Sequence, residues 1–126
     1  MSDVIITLNA RRKMLYARAG EALLPRIEGF AFGNGGTDVS GNAIEVDEKQ
    51  TELNSELLRK PIDKYTMLSD VTCRYECTLE EDELVGEKIS EIALYDAEGD
   101  LVAIKTFSPK EKDGDFQMTF QIDDIF

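Results

Sequence analysis

The sequence predicts an α+β fold: an antiparallel β-sheet of about five strands with one or two helices packed on it. Three observations lead there. Residues 65–79 and 116–122 alternate apolar and polar side chains with period two, as half-buried strands do. Residues 89–107 contain two apolar runs around Asp-Ala-Glu-Gly-Asp, a hairpin signal with Gly99 free to take the left-handed conformation of a tight turn. Residues 7–18 and 51–60 carry short helical patterns. With 126 residues, 42% of them hydrophobic, residues 1–126 form one domain able to build its own core.

Taken in order, Thr7 caps a helix over residues 7–18, Gly20 ends it, and Leu8, Leu15 and Ala19 recur on one face beside Arg12 and Lys13. Residues 21–24 add a turn of helix before Pro25. Residues 27–32 alternate as a short strand, and residues 33–42, with four glycines, form a loop. That loop is no phosphate cradle, since Asn42 stands where a P-loop needs lysine. Nor is it a calcium loop, because Asp38 is its lone acid. Residues 43–49 are irregular. Leu53 and Leu57, four apart, predict a helix over residues 51–60, stopped by Pro61. The strand over residues 65–79 exceeds the usual five or six residues, so a bend or break at Ser69-Asp70 is expected. Residues 80–83 are a solvated acidic loop, residues 108–114 a polar loop, and Phe116, Met118, Phe120 and Ile122 line one face of a last strand.

The hairpin arms are apolar on both sides. Ile92 and Leu94 oppose Ala93 and Tyr95; Val102 and Ile104 oppose Leu101, Ala103 and Phe107. Such arms are covered on both faces, inside the domain or at a subunit contact.

The charge narrows the functions. At −12, with 26 acids against 14 bases, the surface repels nucleic-acid phosphates and anionic membranes. No apolar run reaches the ~18 residues of a membrane span, and the N-terminus has no secretion-signal pattern, so synthesis and folding in a cytoplasm are expected. The chain has no histidine, which removes the commonest general base and metal ligand. Cys73 and Cys77, four residues apart on one strand, lie too far apart to bond to each other and serve as core filling. The remaining chemistry would be a carboxylate-dependent hydrolase or a small calcium-binding module, the latter suggested by Asp96, Glu98 and Asp100. Neither set of acids has the spacing its chemistry needs. No catalytic residue, cofactor or metal is assigned. The candidate protein–protein contacts are Arg11, Arg12 and Lys13, the one basic cluster, with Ile92, Leu94 and Tyr95 of the hairpin.

Five segments in order then carry a resemblance. They are the helix centred on Arg11-Arg12-Lys13, Phe-Ala-Phe-Gly-Asn-Gly-Gly at residues 30–36, and Thr-Glu-Leu-Asn-Ser-Glu-Leu-Leu-Arg-Lys-Pro-Ile at residues 51–62. Ser-Glu-Ile-Ala-Leu-Tyr-Asp-Ala-Glu-Gly-Asp-Leu-Val-Ala-Ile at residues 90–104 and Phe-Gln-Met-Thr-Phe-Gln-Ile at residues 116–122 follow. From residue 7 to the end the chain resembles the phage tail-collar fibre family, the N-terminal domain of tail fibres, and related prophage tail proteins. The resemblance implies a non-enzymatic structural module that attaches fibres to a tail or baseplate, assembled in the bacterial host cytoplasm. It also implies homo-oligomers, trimers among them, and other tail proteins as partners. With no shaft or tip after Phe126, host recognition is not expected of this chain. Arg11, Arg12 and Lys13 meeting residues 80–83 of a neighbour would orient such an assembly, while apolar burial supplied the affinity.

Overall fold

The computed structural model describes residues 4–126. It corrects the expected α+β class: 48% of the chain is strand and 9% helix, and the strands form two antiparallel sheets. The elements are β1 (Ile5–Ile6), α1 (Leu8–Arg18), β2 (Ile27–Gly33), β3 (Glu56–Pro61), β4 (Lys64–Ser69), β5 (Thr72–Leu79), β6 (Lys88–Asp96), β7 (Leu101–Glu111) and β8 (Met118–Ile125). The larger sheet runs β1-β7-β6-β2-β3 and the smaller β4-β5-β8. The one helix among the described residues packs against β7 at one end of the larger sheet. The fold is β-rich, with α1 as an attachment rather than a layer.

The core lies between the sheets. Phe30 and Phe32 of β2 with Ile92 and Leu94 of β6 meet Cys77 and Leu79 of β5 and Phe120 and Ile122 of β8. Phe32 and Phe120 pack edge to face with centroids 5.2 Å apart, the arrangement the ring quadrupoles favour. The other face of the larger sheet is covered by the chain between β2 and β3, whose Leu53 and Val46 sit on Ala31, Ala93, Leu101 and Ile104. Both faces of β6 are therefore buried by the chain itself, as its two-sided apolar sequence requires.

Four local expectations change, and the break expected within residues 65–79 is present. Residues 51–60 are not a helix: Leu53 anchors a loop, while Leu57 and Leu58 lie on β3, paired antiparallel with β2. A short apolar run flanked by polar residues fits either period, and the edge of β2 decides it. Residues 21–22 are bends and residues 23–24 are irregular, not an added helical turn. Strand β7 continues through residues 108–111, because Lys110 and Glu111 pair with Ile89 and Lys88 across a register shift that accommodates Pro109. The long strand over residues 65–79 is two strands, β4 and β5, joined by a turn at Asp70-Val71, one residue past the expected break. On β7, a shift at Val102 sends Leu101 and Ile104 to one face and Ala103 to the other, so strict alternation fails at the bulge.

Helix α1 begins as expected. Thr7 Oγ1 accepts from Ala10 N–H at 3.1 Å and donates to the Leu101 carbonyl at 2.8 Å, tying the cap to the hairpin. Its buried face is the reverse of the expected one. Ala10 is buried and Lys13, Met14 and Ala17 are half-buried, while Leu8 and Leu15 are exposed, Leu15 at 65%.

The glycine loop after β2 is held against β6. A Cβ on Gly36 would sit 2.0 Å from the Ser90 carbonyl oxygen, a backbone atom that cannot turn away. Gly36→Ala is expected to cost about 3 kcal/mol as overpacking. Gly114→Ala, whose Cβ would meet only ordinary contacts, should be near neutral. Equal urea midpoints for the two variants would contradict this account.

Candidate functional site

Among the described residues, one cluster of carboxylates that could hold a cation gathers at the hairpin tip. Between β6 and β7 the chain turns through residues 96–100, with Gly99 at φ 87° and its N–H donating to the Asp96 carbonyl at 2.8 Å. Asp96 Oδ1 also accepts from Glu98 and Asp100 N–H, so the turn aims three carboxylates at one point. Oxygen atoms of Asp96, Glu98 and Asp100 lie within 4.8 Å of one another, a spacing a hard cation could bridge. The Lys13 ammonium fills that centre, 2.7 Å from Asp96, 2.8 Å from Glu98 and 2.7 Å from Asp100. Burial alone would pull Lys13 down, but its hydrogen bonds to Asp100, Asp96 and Glu98 outweigh that and hold it above the usual lysine range. The same contact holds Asp100 below the usual carboxylate range. Lys13 therefore locks α1 to the hairpin.

A second carboxylate organises the glycine loop. Glu91 is buried, and its oxygens accept from the backbone N–H groups of Gly35 at 2.9 Å, Asn54 at 2.9 Å and Ser55 at 2.8 Å. Ser90 Oγ accepts from Gly36 N–H at 2.9 Å. The Ser-Glu pair on β6 thus gathers both ends of the segment joining β2 to β3. This explains the glycine-rich stretch as a close-packed structural turn.

The six expected contact residues separate. Ile92 is 3% exposed and Leu94 fully buried, both inside the chain's own core. Tyr95 is half-buried with the Arg59 guanidinium 4.9 Å from its ring centre. Lys13 is engaged at the hairpin tip. Arg11 and Arg12 are exposed on α1, Arg11 reaching Glu48 at 2.6 Å and Arg12 reaching Asn9. They share that surface with Leu8 and Leu15, which lie about 20° apart at 100° per residue, and with the half-exposed Tyr16. The outward face of α1 is thus apolar with basic flanks. The spacing of Leu8 and Leu15 showed this stripe; its direction was not readable.

A complementary surface lies where two loops meet. Lys112, fully buried, donates from Nζ to the carbonyls of Glu81 at 3.0 Å and Asp113 at 2.7 Å, joining the β5–β6 loop to the β7–β8 loop. This brings the exposed Val85 and Phe116 beside Glu81, Asp82, Asp113 and Asp115. Sequence reasoning saw the acids and missed the apolar pair, since only the fold makes the two loops neighbours.

The two cysteines are buried free thiols on the inward side of β5, and burial pushes Cys77 up to about 12, far from reactive thiolate character. Among the described residues no helix is long and apolar enough to cross a membrane.

The remaining ion pairs set an acid limit. A hydrogen bond from Arg74 holds Asp123 low, and one from Lys60 does the same for Glu83. Asp124 runs the other way, pushed up by burial. A depressed carboxylate contributes stability that is present above its unfolded value near about 4 and lost as the pH falls through its folded value. Stability is therefore expected to decline below about pH 4. Asp124→Asn removes a penalty present only while Asp124 is charged, so it should raise Tm at pH 7 and give no gain at pH 3. A gain of equal size at both values would show that the charge is not responsible.

Searches of curated proteins and of solved structures return no match. A family model described as phage tail-collar fibre protein, N-terminal, matches residues 1–121. That span takes in α1 with its lysine lock, the glycine loop with Glu91, and the first half of β8. The family is one of phage tail structural proteins, and the chain belongs to it.

Proposed function

We propose that this domain is a non-enzymatic attachment module that joins a tail fibre to the tail or baseplate of a phage or prophage-derived particle, and that it self-associates, as a trimer, while doing so. The family match over residues 1–121 carries the reading. Its partners are then further copies of itself and other tail proteins, and its place is the virion tail, assembled in the bacterial host cytoplasm.

Two surfaces support self-association. The outward face of α1 offers Leu8, Leu15 and Tyr16 with Arg11 and Arg12, on a chain of net charge −12. The joined loops offer Val85 and Phe116 among acids. These are different patches, so their contact is head-to-tail and generates a closed ring when the rotation closes. Apolar burial supplies the affinity and the arginines set the direction. Exposed pairs contribute only about 0–1 kcal/mol each.

Removing the gene from its phage or prophage and imaging the tails tests the reading. Tails without attached fibres, restored by supplying the chain in trans, are expected. Tails with normal fibres, and particles free of the chain by mass spectrometry, would overturn it. Light scattering tests self-association separately. An oligomer that survives 0.5 M salt and is lost in Leu15→Glu is expected; a monomer at high concentration would refute it for the isolated chain.

A further inference from the structure

A groove of about 740 Å³ opens at the end of the sandwich next to α1. Met14 of α1 and Ile27 and Glu28 of β2 line one wall; Tyr65, Met67 and Asp124 of the smaller sheet line the other.

The groove is the part of the smaller sheet that the larger one fails to cover. Along β8 the inward positions read Phe120, Ile122, Asp124, and along β5 they read Leu79, Cys77, Tyr75, Cys73. Tyr65 and Met67 of β4 pair with Tyr75 and Cys73 and so share that face. The first members of each row are buried in the core. Tyr65 and Met67 are 60% and 67% exposed. All six residues of β4 are exposed, so the strand gains almost no burial from the chain itself.

Two carboxylates on this apolar surface lack hydrogen-bond partners. Asp124 occupies an inward position, half-buried, with no hydrogen bond or ion pair to its carboxylate among the described residues. Its neighbour Asp123, on the outward face, is held in a bidentate pair by Arg74 at 2.8 and 3.1 Å. Oε2 of Glu28 is the one buried side-chain oxygen among the described residues without a hydrogen bond; the Arg26 guanidinium is 3.1 Å away but out of line. A half-buried carboxylate costs stability unless a cation meets it. The position of Asp124 beside Tyr65, Met67 and Tyr75 defines the chemistry of what covers that part of the groove.

We propose that this groove docks an extended segment of a second tail protein, one that seats aliphatic side chains against Met14, Tyr65 and Met67 and sets a lysine or arginine on Asp124. The proposal rests on the attachment role proposed above and names the surface and partner chemistry for it. Another copy of this chain fits less well, because two chains of net charge −12 repel one another.

Calorimetric titration of the full chain with capped eight-residue peptides tests it, using alternating leucine–lysine, leucine–glutamine and serine–lysine sequences at 0.15 and 0.5 M salt. Leucine–lysine is expected to bind at micromolar concentration and to persist in the higher salt. Met67→Glu should weaken it at least tenfold, and Leu68→Glu, on the opposite face of β4, less than twofold. Both positions are exposed, so unchanged Tm values confirm intact folds. Asp124→Asn should erase the preference for lysine over glutamine. No binding at millimolar peptide, equal binding of serine–lysine, or equal losses from the two β4 variants would overturn the proposal. Sedimentation in which Met67→Glu abolishes a dimer would instead assign the groove to a second copy. Incorporation into tails separates the two readings. A Met67→Glu chain present in particles with fibres attached removes the groove proposal and leaves the attachment role standing. Absence of the wild-type chain from particles removes the attachment role itself.

Discussion

Glu91→Ala is expected to lower stability by about 3–4 kcal/mol, a large part of the 5–15 kcal/mol typical of a domain. The substitution takes the acceptor from three backbone N–H groups at once, those of Gly35, Asn54 and Ser55. An orphaned donor costs about 1–3 kcal/mol when buried. The lower end applies because Asn54 and Ser55 are exposed enough for water to reach them. Tm should fall by roughly 10–20 °C. Glu91→Gln keeps one accepting oxygen and should lose about half as much. Glu87→Ala is the control: its carboxylate accepts from the exposed Asn34 side chain at 3.1 Å, a surface contact worth under about 1 kcal/mol. Hydrogen exchange adds a local readout, since the amides of residues 35, 54 and 55 should lose protection in Glu91→Ala before the core strands do. Equal Tm losses for Glu91→Ala and Glu87→Ala would show that the glycine loop is held by something else.

Lys13→Met should cost about 3 kcal/mol and convert the protein from calcium-indifferent to calcium-stabilised. The magnitude rests on Asp96, whose side chain is 3% exposed and would be left charged in the interior. Glu98 and Asp100, at 61% and 50%, contribute little on their own because solvent screens them. Without the ammonium, three carboxylates within 4.8 Å repel one another and together offer oxygen ligands to a hard cation. Millimolar calcium should therefore raise the Tm of Lys13→Met by several degrees through preferential binding to the folded state. The wild-type chain should not respond, its lysine already supplying the charge. A calcium shift of equal size in both proteins would mean that the ammonium does not hold this site. The cost also reports on the helix: if Lys13 secures α1, the variant's helical signal should melt below its strand signal.

Self-association couples to that second result. The apolar-basic face of α1 is displayed in one direction because Lys13, Thr7 and Ala10 fix the opposite side to the hairpin. A loosened helix would present Leu8 and Leu15 without a fixed orientation. On the self-association proposed above, Lys13→Met is expected to weaken the oligomer as well as the fold, whereas Arg12→Glu should weaken the oligomer alone.

Much of the architecture is determined by the sequence within windows of about ten residues. Thr7 caps α1, Gly99 closes the hairpin, Phe30 and Phe32 share a face of β2, and Phe120 and Ile122 alternate inward on β8. Each signal is local: a cap bond, a left-handed turn or a two-residue period needs only its neighbours in the chain. The two-sided apolar hairpin likewise required cover on both faces. Which cover it received was a tertiary matter, met inside the chain by the smaller sheet and by Leu53 and Val46. The same division explains the corrections. Leu57 and Leu58 satisfy a helical spacing and a strand equally, and the free edge of β2 selected the strand. Leu8 and Leu15 mark an apolar stripe, but Ala10, Met14 and Lys13 fit closer to β7, so the stripe faces out. Glu91 looks like any acid on a strand until three amides from positions 35, 54 and 55 converge on it. Asp124 looks like its neighbour Asp123 until the sheet turns one toward Arg74 and the other into the groove. Sequence periodicity fixes which side chains share a face. Only the packing of segments distant in sequence decides what that face meets, because burial and pairing energies belong to both partners and not to either stretch alone.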